Sequence, residues 1–134
     1  MVEQNKTSLS IGGSADLNRK LIENKNTKAL ILDHHSNKKD SLYERDSGLN
    51  HILCKLAKQK NVSFIIDLHE LDISDLKTKA EILGRIIQNI RLFRKFGNDF
   101  KAIAPKNSSQ KDFASLLIVL GVPTNMLKKA LQNH

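Results

Sequence analysis

Residues 62–104, VSFIIDLHELDISDLKTKAEILGRIIQNIRLFRKFGNDFKAIA, decide the fold. The short apolar run Phe64–Ile66 is followed by a long segment of helical periodicity, and that segment by a second short apolar run, Lys101–Ala104. Continuous apolar runs of this length read as buried strands, and the recurrence between them reads as an amphipathic helix. Ser74 is the expected cap of that helix, which runs to about Phe96, and Gly97 its left-handed stop. Pro105 bars a helix from starting before it. Strand, long helix, strand is a βαβ unit, because parallel neighbours need a crossover of this size.

The same pattern extends to both sides. Upstream, Leu9–Ile11 ends in Gly12-Gly13, and Ser14 can cap a helix carrying Leu17, Leu21 and Ile22. Ala29–Leu32 is a further strand, followed by a polar loop from Asp33 to Glu44. Asp46 or Ser47 is the expected cap of the next helix, whose Leu49, Ile52, Leu53, Leu56 and Ala57 recur at helical spacing until Asn61 closes it. Downstream, Phe113–Leu120 reads as a helix stopped by Gly121 and Pro123, and Thr124 caps a short one through Leu131. There is no internal repeat or linker, so residues 1–134 read as a single domain.

Four strands alternating with helices give an α/β fold with a parallel sheet, its strands expected to be buried on both faces. Four are too few to close an eight-stranded barrel. The chain is therefore a small open sheet or a piece of a barrel, with unpaired edges at Leu9–Ile11 and Lys101–Ala104. Leaving even ~400 Å² of apolar surface uncovered forgoes on the order of 10 kcal/mol. The sequence thus predicts either association with a second chain or with itself, or a flatter sheet covered by helices on both sides.

Composition bounds the function. Of 134 residues, 40% are hydrophobic and 27% charged, which excludes a disordered chain. The apolar runs are far shorter than a membrane span, and the polar N-terminus has no secretory core, so an intracellular, cytoplasmic protein is expected. The single Cys54 excludes an intramolecular disulfide and any zinc site built from several thiolates, and its place in a helix suggests a buried thiol. The net charge of +8 is local. Residues 1–76 are balanced, whereas residues 77–111 hold nine bases against Glu81 and Asp99. A concentrated positive region is the footprint of a phosphate-backbone binder.

The long helix arranges those charges. On a wheel centred on Leu83, residues Ala80, Ile86, Ile87, Ile90 and Phe93 form the sector expected to pack on the sheet. Lys77, Gln88, Arg91 and Lys95 form a neighbouring stripe suited to phosphates. Arg94 points toward the apolar sector and must snorkel out or find a partner. Leu92 and Phe96 fall on the far side, flanked by Arg85 and Asn89, and mark a partner surface. Arg94, Lys38, Lys39, Arg45, Lys101 and Lys106 are further candidate phosphate contacts.

Two clusters invite a different chemistry. Asp33-His34-His35 follows the second strand and Asp67-Leu68-His69-Glu70 the third, at strand ends where barrel enzymes place their sites. His with carboxylates suits zinc or manganese. Against this stands their more ordinary reading as solvated loop residues, so no catalytic residue, metal or cofactor is assigned.

The stretch Arg45-Asp46-Ser47-Gly48-Leu49-Asn50-His51-Ile52-Leu53, with Lys55-Leu56-Ala57 and Val62–Leu68, resembles the archaeal and eukaryal ribonuclease P protein component 3 family, as does the run from Arg85 to Gly97. Gly12-Gly13, Asn18-Arg19, Asp112 and Leu120-Gly121 match the family in order. The resemblance implies a partial PHP-like (β/α) TIM-type barrel, corresponding to the C-terminal part of that family's barrel. Ala104-Pro105-Lys106 departs from the family's Ser-Gly-Ala-like turn. It also implies a protein subunit that binds and stabilises the catalytic RNA for 5′-end maturation of precursor tRNA, beside a ferredoxin-like subunit, component 2. The alternative it raises is a PHP-type metal-dependent phosphoesterase, whose early His-x-His strand this sequence lacks.

Overall fold

The computed structural model describes residues 9–36, 38, 40 and 45–131. Strands β1 (Leu9–Ile11), β2 (Ala29–Ile31), β3 (Ser63–Asp67) and β4 (Phe100–Ile103) form one parallel sheet in that order. Helices α1 (Ala15–Glu23), α2 (His51–Lys60) and α3 (Leu76–Phe96) connect successive strands. A single 3-10 turn, Leu68–Leu71, leads from β3 toward α3, and α4 (Gln110–Val119) and α5 (Thr124–Leu131) follow β4. None of these helices is long and apolar enough to cross a membrane.

Each strand pairs with the next in sequence, and right-handed crossovers therefore lay all three connecting helices on one face. That is the arc of a TIM-type (β/α) barrel. The helix-covered face buries Leu30, Phe64, Ile66, Phe100 and Ala102. The opposite face carries the registered row Ile11, Ile31, Ile65 and Lys101. There Ile11 is 73% exposed, Lys101 is exposed, and Ile31 and Ile65 are only half-buried. The strands are thus not buried on both faces, and among the described residues no helix covers the second face of the sheet. Both expectations fail for one reason: strands laid down in sequence order with one crossover hand never send a helix to the other face.

The core lies between sheet and helices. Phe93 of α3 stacks on Phe64 of β3 and packs against Phe100 of β4, each pair with ring centroids 5.0 Å apart. Burying such a side chain contributes about 1.5–3 kcal/mol, with roughly 0.5–1.5 kcal/mol more per aromatic pair. Asn98 donates to the Cys54 carbonyl at 2.9 Å and ties the end of α3 to α2.

Ser14 caps α1 through the Leu17 amide, and the left-handed stops fall at Asn61 (φ 59°) and Gly97 (φ 69°). Three caps differ from expectation. Asn50, not Asp46 or Ser47, caps α2, Asp75, not Ser74, caps α3, and Thr124 is the first residue of α5 rather than its cap. Before Asn50 the chain turns at Gly48 with φ 83°, a conformation that favours glycine. Leu49 therefore precedes the helix and is buried beside it, the position of a hydrophobic staple.

The packed face of α3 is also rotated from the expected one. Ile82, Arg85, Ile86, Asn89, Ile90 and Phe93 are buried, while Leu83 and Ile87 are half-buried and Ala80 is exposed. Two polar residues sit in the inner stripe because the loop after β2 folds over them and supplies partners.

Candidate nucleic-acid interface and the polar network beneath it

The loop between β2 and α2 is stitched down from three sides. Asp33 accepts from the His35 and Ser36 amides, turning the chain as it leaves the sheet. His34 then enters the interior and is fully buried. Glu70, from the 3-10 turn, accepts from both the His34 amide and its ring Nδ1, each at 2.7 Å. Asn89 Nδ2 lies 3.0 Å from both the His34 Nε2 and the Ser47 carbonyl. An amide turned the other way would set its oxygen against that carbonyl, so Asn89 donates to both and Nε2 is the acceptor. This fixes the tautomer: Nδ1 carries the proton and donates to Glu70.

Arg85 completes the network. Its Nη1 donates to the His34 carbonyl at 3.0 Å and its Nε to Asp40 at 3.1 Å. A buried guanidinium survives only with partners of this kind. Burial alone would raise the Asp40 carboxyl, but the Asp46 amide and the Arg85 and Arg45 guanidiniums hold it below its ordinary value. On the other flank, Asn18 donates to the Gly48 carbonyl at 2.8 Å and Lys38 to the Gly13 carbonyl at 2.6 Å. Desolvation lowers the pKa of that half-buried lysine.

These contacts revise the reading of Asp33-His34-His35 as solvated loop residues, whereas His69 of the second cluster is exposed, as that reading expects. His34 is a buried structural residue with both ring nitrogens engaged, and Asp33 is occupied by backbone amides. Asp67 caps the 3-10 turn through the His69 amide and meets the His69 ring at 2.8 Å. Among the described residues, no three His, Cys, Asp or Glu side chains converge as a metal site requires.

The outer surface of α3 carries the basic stripe. Lys77, Arg91 and Lys95 are exposed there. Between them sits Gly84, and Arg45 lies across it: a Cβ added at Gly84 would come within 2.5 Å of the guanidinium carbon. A glycine in mid-helix weakens the helix, and here it admits this close approach. Arg45 thus continues the stripe over a length of about 27 Å, at 1.5 Å per residue. Gln88, also expected there, donates to the Arg45 carbonyl and the Ser47 hydroxyl, so it secures the loop that presents Arg45.

The other candidates are dispersed. Arg94 is exposed, having snorkelled to a flank beside Asp99, Asn125 and Lys129. Lys101 stands on the open face of the sheet, in register with Ile65 and away from α3. Lys106 is exposed after β4, its amide held by Asp72. Lys39 lies outside the described residues. Leu92 and Phe96 are half-buried and flank a groove between α2 and α3. Arg85 and Asn89, read as flanking exposed apolar residues, are buried instead. The signal for them was present: residues 82, 85, 86, 89, 90 and 93 recur at the spacing of a single buried stripe. Polarity alone had placed them outside.

Cys54 is buried, and burial pushes its thiol up to about 12, so it offers no nucleophile at neutral pH.

Comparison with known proteins agrees with the resemblance read from the sequence. No protein-family model matches the chain. Ribonuclease P protein component 3 of Methanothermobacter thermautotrophicus is 31% identical over 86 residues, 64% of this chain and 32% of that protein. The protein of the same name from Methanococcoides burtonii is 33% identical over 85 residues, again 32% of its length. A chain in the cryo-EM structure of archaeal ribonuclease P with mature tRNA matches with a TM-score of 0.72 at 24% identity, over 94% of this chain and 54% of that one. The match therefore spans about a third of the curated relatives and about half of the solved chain, and the solved structure supports the barrel-segment fold.

Proposed function

We propose, from the resemblance to ribonuclease P protein component 3, that this chain is an RNA-binding subunit of ribonuclease P. It would stabilise the catalytic RNA during 5′-end maturation of precursor tRNA, as part of a cytoplasmic ribonucleoprotein. Residues 1–134 form one domain in this reading, the C-terminal part of the family's barrel. The observation that carries it is the exposed stripe of Lys77, Arg45, Arg91 and Lys95, a row of cations on rigid helix and stitched loop; Lys38, Lys39 and Lys106 would add further phosphate contacts. A row of this kind suits phosphates and RNA shape. Arg94 and Lys101 point elsewhere and would meet other strands of a large RNA.

The chemistry of cleavage would belong to the RNA. His34, Asp33 and Glu70, which a metal-dependent phosphoesterase would need free, are engaged in holding the loop. The partners in this reading are ribonuclease P RNA and a ferredoxin-like subunit. The open sheet face, with its row of three isoleucines, and the β1 edge would be closed by further barrel strands from another polypeptide or a second copy. Leu92 and Phe96 are the apolar members of the stripe's own face.

The direct test is affinity for ribonuclease P RNA as a function of salt. Replacing Arg91 and Lys95 by Ala should lower affinity and reduce the slope of log affinity against log salt by about 1–2. An unchanged slope would rule out this face.

A further inference from the structure

The groove between α2 and α3 has a volume of about 560 Å³, within the roughly 300–1,000 Å³ typical of small-ligand sites. Its floor includes Leu92 and the Phe96 ring, and its walls His51 and Gln88. The His51 and Phe96 rings face each other with centroids 6.5 Å apart and planes 30° apart. The ammonium groups of Lys55 and Lys95 stand 5.7 and 5.6 Å from the Phe96 centroid. No carboxylate lines the groove, and neither lysine is in an ion pair among the described residues.

We propose that this groove binds one unpaired nucleotide of RNA, its base stacked on Phe96 and its phosphate held by Lys55 and Lys95. The inference deepens the RNA-binding reading and rests on it. An apolar protein segment would fill the groove only by stripping water from two ammonium groups without offering them a partner. A nucleotide satisfies both halves of the site. Its base offers a planar face to the ring, and its phosphate draws the lysines off that ring onto a charge of opposite sign. The site also continues the α3 stripe, since Lys95 belongs to both. The scarcity of aromatic residues counts against a sheet-wide stacking platform, but it leaves room for a single base.

The test uses the full chain and two hairpin RNAs, one with a single bulged uridine and one with an abasic bulge. The wild type should bind the uridine bulge about tenfold more tightly than the abasic one. Phe96→Leu should abolish that difference with an unchanged salt slope, and Phe96→Tyr should keep it. Lys55→Gln should weaken both RNAs and lower the slope. Should Phe96→Leu perturb folding, photocrosslinking of the wild type to 5-iodouridine at the bulge decides alone: the adduct should map to the peptide bearing Phe96 or His51. Equal affinity of wild type for both hairpins, or an adduct elsewhere, overturns the groove assignment while the RNA reading stands. Absence of binding to either hairpin and to ribonuclease P RNA overturns both.

Discussion

Helix α3 carries two polar stripes of similar composition and opposite purpose. The inner one, Arg85 and Asn89, is buried and donates to the loop after β2. The outer one, Lys77, Arg91 and Lys95, is exposed and touches little. Charge alone cannot separate them; what separates them is whether another segment folds across. The inner stripe holds the platform, and the outer stripe is what the platform displays.

The contrast predicts that stability and RNA affinity respond to different substitutions. The largest effect should come from Arg85→Ala, which takes a donor from the buried His34 carbonyl and the guanidinium from Asp40 and should cost about 3 kcal/mol in urea unfolding. Arg91→Ala with Lys95→Ala should change stability by less than about 0.5 kcal/mol while weakening RNA binding. A double variant that unfolds as readily as Arg85→Ala would erase the distinction.

An intermediate effect is expected for Asn89→Leu, roughly 1–3 kcal/mol, because the His34 Nε2 and the Ser47 carbonyl lose a buried donor. His34 amide exchange should accelerate in parallel, and unchanged exchange would detach this network from the loop.

Acid should act through Asp40. Its carboxyl lies below its ordinary value in the folded protein, so its contribution is complete above the unfolded value of about 4 and fades as pH falls through the folded one. Unfolding midpoints measured from pH 7 to pH 3 should fall more steeply in wild type than in Asp40→Asn. Parallel curves would show that the Arg85 contact does not depend on that charge.

The smallest effects belong to two residues outside both stripes. His69→Ala removes an exposed ring paired with Asp67 and should shift stability by no more than about 0.5 kcal/mol in urea unfolding. Cys54 should resist alkylation at pH 8 until the protein is unfolded.

Read from the sequence alone, every described strand and α-helix, though not the 3-10 turn Leu68–Leu71, was found, with ends displaced by a few residues, because short apolar runs and helical recurrence are local properties of the chain. Ser14, Asn61 and Gly97 were legible as caps for the same reason. The caps at Asn50 and Asp75 were missed in favour of neighbours of equal capping power; at Asn50 the turn at Gly48 and the burial of Leu49 chose between them. The basic stripe was legible as charge at helical spacing. Arg45 was legible as a candidate contact, but its place across Gly84 was not, because it depends on a loop from nearly forty residues away in sequence.

The sequence by itself determined the parallel βα architecture, the concentration of positive charge on α3 and the resemblance to ribonuclease P protein component 3. All of these follow from residue type and spacing. Tertiary structure alone decided that His34, Arg85 and Asn89 are interior, that one sheet face stays open, and that Phe96 meets His51 and two lysines. Each depends on which distant segments come together, and a buried polar group is distinguished from an exposed one only by the partner that chain folding brings to it.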